Sequence, residues 1–233
     1  MLGNGNSFPS KFSHMPMKML ADYIMTQNLE SQAFAVDGGN GENVQTTGTK
    51  QAMIAGVPIA ALAADDALDI SADLQLTIWV TATAYTAVDV RYVTDANGNK
   101  QWYKCIASHT SSAGTKPGQK DSVNSTWRDY WTESSNKAEN AVGVVIPNLY
   151  SQYFMALCNS AGTLTLVKAG DAALDANKEL VIPVFDPAIF VAVGLLLIDS
   201  AAFTVGTTST SGVSTFTQLL GPTFPSPAAL DLV

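Results

Sequence analysis

Few residues in this chain of 233 are of types that do chemistry. All four tryptophans, Trp79, Trp102, Trp127 and Trp131, lie in one stretch, interleaved with Tyr85, Tyr92, Tyr103 and Tyr130. An indole or phenol with one apolar face and a polar handle, left on a surface, stacks on the C–H face of a sugar ring while polar neighbours bond the hydroxyls. On that chemistry the candidate carbohydrate-binding residues are Trp102, Tyr103, His109, Tyr130 and Trp131. Trp102 and Tyr103 are neighbours in an expected strand, so they point to opposite faces, and one of them is free to face outward while the other is core. Tyr130 and Trp131 pose the same choice. The competing use of these rings is structural: a domain of roughly 60 residues has little apolar area, and large aromatics build its core economically. Trp79, Tyr103, Trp127 and Trp131 are therefore expected to include that core or its seam with the rest of the chain.

Catalytic chemistry finds no foothold. His14 and His109 are the only histidines, and no Ser/His/Asp set, nucleophile elbow or HExxH pattern accompanies them. Asp65-Asp66 reads as a solvated turn rather than an acid/base pair. Gly38-Gly39-Asn40-Gly41 lacks the following Lys-Ser/Thr of a phosphate loop. Asp95-Ala96-Asn97-Gly98-Asn99 has the opening spacing of a calcium loop but no bidentate acid to close it. Cys105 and Cys158 show no metal-ligand spacing, which leaves either a bridge or two packed, reduced thiols. Asn124-Ser125-Thr126 fits a glycosylation acceptor by chance. The expectation is a non-enzyme with no catalytic residues, no metal and no cofactor. With a net charge of −8 and a pI near 4.5, nucleic acid is not an expected partner either.

The elements that must position these residues follow from a break in composition. Seven basic residues and five acids lie between Trp79 and Lys137, a net +2 in a chain of −8. Such a shift predicts a small guest inserted into a tryptophan-free, acidic host. The expected fold class is mainly β: an antiparallel β-sandwich or jelly-roll-like host with a small three-stranded β module inserted. Residues 33–78 plus 139–220 form the host, 79–138 the module, 1–32 an N-terminal arm with a short helix, and 221–233 a Pro-rich tail.

In the host, Lys50–Ala64 reads as a strand pair broken by Gly56 and Pro58, and Ala67–Ile78 as a half-buried strand of period two. Further strands are expected at Ala141–Ile146, Tyr150–Cys158, Thr163–Lys168 (an edge with one wet face), Glu179–Phe185, Ile189–Asp199 and Ala202–Val205, and one more short element at Phe216–Leu220. The longest apolar run, Ala188–Ile198, is shorter than the roughly 20 residues a membrane helix needs and reads as a strand buried on both faces. In the module, strands are expected at Tyr85–Val93, Gln101–Ala107 and Trp127–Trp131, with Asn97-Gly98 turning between the first two. Met17, Leu20, Tyr23 and Ile24 fall at helical spacing after Pro16 and are the candidate partner-binding residues, reaching a neighbouring subunit or packing on their own domain. Met1–Ser10 lacks the basic and apolar regions of a secretory signal, so a soluble protein made in a cytoplasm is expected. Only 14% of residues are charged against 47% apolar, a balance that suits a subunit partly covered by copies or partners.

The order Trp79, Tyr85-Thr86-Ala87-Val88-Asp89-Val90, Trp102-Tyr103-Lys104-Cys105, His109-Thr110-Ser111-Ser112, Pro117-Gly118 and Trp127 resembles the small three-stranded chitin- and cellulose-binding modules of bacterial chitinases, which also occur in bacteriophage surface proteins. The resemblance covers about a quarter of the chain. Where those modules place two adjacent exposed tryptophans, this chain has Ile106-Ala107-Ser108-His109, so chitin binding is not carried over. The host, through Asn159-Ser160-Ala161-Gly162-Thr163-Leu164-Thr165 and Phe203-Thr204-Val205-Gly206-Thr207-Thr208, is similar to structural proteins of tailed-phage particles. Together the resemblances imply a virion protein of the capsid decoration or cement type, with the major capsid protein or other virion subunits as partners, homo-oligomeric with a trimer favoured, and without membrane insertion. The alternatives are a tail or baseplate adhesin that grips host surface glycans and a non-viral bacterial sugar-binding accessory.

Overall fold

The computed structural model describes residues 27–28, 34–36, 44–46, 52–55, 57–59, 67–68, 76–119, 125–199, 202–211, 213–218 and 221–222. Its strands in chain order are β1 (Gln27–Asn28), β2 (Phe34–Val36), β3 (Val44–Thr46), β4 (Ala52–Ile54), β5 (Val57–Pro58), β6 (Ala67–Leu68), β7 (Thr77–Ile78), β8 (Ala84–Tyr85), β9 (Val90–Thr94) and β10 (Lys100–Cys105). They continue with β11 (His109–Thr110), β12 (Trp131–Glu133), β13 (Val145–Ile146), β14 (Tyr150–Asn159), β15 (Leu164–Lys168), β16 (Ala173–Leu174), β17 (Phe190–Ile198), β18 (Phe203–Thr204), β19 (Ser214–Gln218) and β20 (Gly221–Pro222). The fold is mainly β, a sandwich-like host of antiparallel sheets with a small β module inserted.

The apolar run that becomes β17 is buried on both faces, as its lack of alternation predicts. Val191, Val193, Leu196 and Ile198 enter one apolar cluster, while Phe190, Ala192 and Leu195 enter another. The parity changes at Val193 because a bulge sets Ala156 opposite Gly194 but Leu157 opposite Ala192. β17 lies between β14 and β19, and β15 completes that sheet beyond β14. The Asn159–Gly162 turn joins β14 to β15 as expected: the Asn159 side-chain oxygen accepts from the amides of Ala161 and Thr163, both at 3.0 Å, and Gly162 takes the positive φ.

The first cluster gathers Ile146, Phe154, Leu166 and Phe203 with Ala52 and Ile54 from the other side of the insertion. β4 and β1 pack on β17, so two sheets face each other across that core. β1 pairs with both β4 and β20, Gln27 lying opposite Met53 and Pro222. Residues 27–28 and 221–222, assigned from sequence to the arm and the tail, thus belong to a host sheet. The candidate partner-binding residues Met17, Leu20, Tyr23 and Ile24 lie outside the described residues.

Several sequence expectations give way to local physics. Glu179–Phe185 is not a strand: Pro183 removes a donor from the ladder, and the segment runs irregularly over the surface with Val181 and Val184 exposed. β15 has no wet face, since Leu164 and Leu166 enter one apolar cluster, Val167 enters the other and Thr165 is fully buried; the chain at Asn140-Ala141 runs along its edge, the Ala141 amide donating to the Leu166 carbonyl at 2.7 Å. The period-two reading of Ala67–Ile78 ends early, because Leu76 is buried at φ +58° while Ile78 is half-exposed. Among the described residues of that span, Ala67-Leu68 and Thr77-Ile78 are strand; residues 69–75 lie outside the described residues.

The module is a sheet in the order β12-β10-β9-β7, with β8 and β11 paired beside it. β9, β10 and β12 are antiparallel, while β7 joins β9 in parallel, Thr77 opposite Arg91. The expected strand Tyr85–Val93 is broken by a turn in which the Asp89 carboxylate accepts from the Thr86 amide at 2.7 Å. Trp127–Trp131 is likewise not one strand. Trp127–Tyr130 forms a helical turn and only Trp131–Glu133 is extended. A strand there would put Trp127, Asp129 and Trp131 on one face and bury the acid. The helical turn instead buries Trp127, half-buries Tyr130, and leaves Arg128 and Asp129 in water.

Candidate functional site

Strand alternation decides where the aromatic residues of the module go. Arg91, Val93, Tyr103 and Cys105 point to one face of the sheet, and Val90, Tyr92, Trp102 and Lys104 to the other. The first face closes on an aromatic core of Tyr85, Val93, Tyr103, Cys105, Trp127 and Trp131, with Trp79 and Tyr130 packed against it. Tyr85 meets Trp131 edge-on at 5.1 Å between ring centroids, and Tyr103 meets Trp127 edge-on at 5.6 Å. Arg91 lies over the Tyr85 ring at 5.2 Å and pairs with Asp89 at 3.3 Å, both side chains being buried.

The second face does not look outward. Trp102, Val90 and partly buried Tyr92 sit in the same cluster as the host residues Phe185, Ile189 and Phe190. Tyr92 and Trp102, cross-strand partners, meet edge-on at 5.1 Å, and the Lys100 ammonium lies 4.6 Å from the Tyr92 ring centre. Next to Trp102 on this face, the Lys104 ammonium reaches Asp186 of the host at 3.3 Å.

Of the five candidate sugar-stacking residues, the structure therefore buries three. Trp102 is 9% exposed, Tyr103 6% and Trp131 1%, and none offers a ring face to a ligand in this arrangement. Burial raises the Tyr103 phenol above its ordinary value, with the Glu133 charge adding to the shift. The remaining two, His109 and Tyr130, come together at the end of the sheet where β10 runs out and Tyr130 leads into β12, here called the tip, stacked at 4.3 Å between centroids and 27° between planes.

His109 spends both nitrogens on the protein. Nδ1 lies 3.0 Å from the Ala107 carbonyl, and the Trp131 indole N–H donates to Nε2 at 3.2 Å, which fixes the neutral tautomer with its proton on Nδ1. Its role here is to seat Tyr130. Around that stack lie Ile106, half-exposed, and Ser108, exposed, and the Ile106 amide donates to the Tyr130 carbonyl at 2.7 Å. The tip loop is held by local bonds: the Trp127 indole N–H donates to the Gln119 carbonyl at 3.0 Å, and Gln119 Nε2 donates to the Ala113 carbonyl at 2.6 Å.

Asp95 organises the β9–β10 turn. Its carboxylate accepts from the amides of Asn97 and Asn99 and from Asn99 Nδ2, at 2.8, 2.9 and 3.1 Å, and these bonds, Asn99's first, hold its pKa below the usual carboxylate value. Among the described residues no group of three His, Cys, Asp or Glu side chains is placed to hold a metal ion. Cys105 and Cys158 are buried and form no disulfide, one lying in the module core and one in the host core. No helix among the described residues is long and apolar enough to cross a membrane.

Sequence reasoning missed Asp186, Ser134 and Lys104. Lys104 was findable, being two residues from Trp102 on the same face of β10. Asp186 was not, because its contact with Lys104 spans 82 residues. No protein-family model matches this chain, and neither a curated protein nor a solved structure matches it.

Proposed function

We propose that this chain is a non-enzymatic structural protein of a tailed-phage particle, of the capsid decoration type. In this reading the sandwich-like host attaches to the major capsid protein or other virion subunits as part of a homo-oligomer and holds the small β module away from the particle. The observation that carries it is the use made of the module's aromatics. Trp102, Tyr103 and Trp131 fill cores and seams, so the module's large rings serve to build and mount a protrusion. The resemblance of the host's turn sequences to phage structural proteins supports the virion setting.

A second reading is favoured by one feature, the Tyr130–His109 stack at the tip. Tyr130 is half-buried and supported from beneath, the arrangement an adhesin would use to hold one sugar ring. Co-sedimentation of the full-length chain with intact capsids, run beside a glycan array, separates the two. Decoration predicts pelleting with capsids and a silent array. An array signal abolished by Tyr130→Ala, with no pelleting, would overturn decoration in favour of the adhesin.

A further inference from the structure

An inserted module joined by two strands of chain is free to swing unless something docks it. Here the docking is built around one host carboxylate. Asp186 has a side chain only 8% exposed. Its Oδ2 accepts from Lys104 Nζ at 3.3 Å and from Ser134 Oγ at 3.1 Å, both on the module side. Its Oδ1 accepts from the Ala188 amide at 3.0 Å, and its main-chain carbonyl accepts from the amides of Ile189 and Phe190, each at 3.0 Å. Three backbone donors thus fix Asp186 on the host while its second oxygen holds the module.

Apolar packing surrounds this hub. Phe185 and Ile189, flanking Asp186, share a cluster with Trp102, Val90 and Leu76. The connections into and out of the module are also bonded. The Leu76 amide donates to the Val90 carbonyl at 3.1 Å and the Ser134 amide to the Trp102 carbonyl at 2.9 Å. The amides of Lys137 and Ala138 donate to the Val184 carbonyl at 2.7 and 2.9 Å, and Lys100 pairs with Glu139 at 2.5 Å.

We propose that Trp102 and Lys104 on the module, closing on Phe185 and Asp186 of the host, form a docking latch that sets the module in one orientation, so that the Tyr130–His109 tip points in a fixed direction. The latch holds whether or not the protein belongs to a virion. It also gives an intramolecular role to Trp102, one of the rings the sequence offered for sugar stacking.

The test is ¹⁵N relaxation on the full chain, comparing rotational correlation times for amides of β9, β10 and β12 with those of β14 and β17. The wild-type chain gives a single common value. In Trp102→Ala/Lys104→Ala, which leaves the host side untouched, that common value is lost and the module tumbles faster, while the Trp127 and Trp131 indole N–H signals report an intact module core. If those signals are lost, the decision passes to Asp186→Ala, which spares every module residue and gives the same release. A wild-type module that tumbles faster than the host overturns the docked arrangement. A released-side variant with intact indole signals that still tumbles as one body overturns the assignment of the latch to these residues.

Discussion

Replacing Trp102 by alanine separates a ring that mounts the module from a ring that awaits a ligand. A tryptophan side chain at 9% exposure removes roughly 200 Å² from water, which at about 25 cal/mol per Å² sets an upper bound near 5 kcal/mol. Part of that area is already hidden in a realistic unfolded chain, but the vacancy left beside Tyr92 in that apolar cluster adds its own cost, and large-aromatic-to-alanine changes in cores fall at about 3–5 kcal/mol. About 4 kcal/mol is a quarter or more of the stability of an ordinary domain. Urea unfolding followed by circular dichroism reads it, with Ile106→Ala, at a half-exposed position, as the control expected to change stability by about 0.5 kcal/mol or less. A loss below about 1 kcal/mol for Trp102→Ala would refute the reasoning, because a side chain so cheaply removed cannot be closing the seam.

Other perturbations test other joints. Gly118→Ala places a Cβ 2.4 Å from the Tyr103 hydroxyl oxygen at φ +74°, so it destabilises by about 2 kcal/mol or more, and adding Tyr103→Phe recovers part of the loss in a thermal-melt double-mutant cycle. Gly170→Ala meets the Glu179 carbonyl oxygen at 2.3 Å, main chain that no side-chain change can clear, so no such partner rescues it. Burial pushes the Cys105 thiol from its ordinary 9.0 to about 11. Between those values unfolding releases a proton, so this contribution to stability is intact below pH 9 and declines as pH rises toward 11; wild type should lose more thermal stability than Cys105→Ala from pH 8 to pH 10.5. For Asp95, whose acidity is strengthened chiefly by Asn99, the sign is opposite. Its contribution is present above the ordinary value of 3.8 and is lost as pH falls through the lower folded value, which a titration of the Asn97 and Asn99 amide shifts would show.

Much of the local structure was legible in the residues. The unbroken apolar run became a strand buried on two faces, Asn159 and Gly162 made their turn, and the adjacency of Trp102 and Tyr103 forced them to opposite faces of β10. These features depend on periods and torsions of a few consecutive residues, which sequence carries directly. Trp127–Tyr130 was misread because W-R-D-Y-W fits alternation as well as a helical turn, and only the cost of burying Asp129 chooses between them.

Alternation fixed that Trp102 and Tyr103 diverge, but not what each would meet. The chain alone established a mainly β fold and an aromatic-rich insertion, because composition and period are written residue by residue. Only the tertiary structure decided that the face of β10 bearing Trp102 and Lys104 is covered by Phe185 and Asp186, leaving Tyr130 on His109 as the ring at the tip. That contact joins segments some eighty residues apart, and which segment covers a sheet face depends on how the two halves of the host close around it.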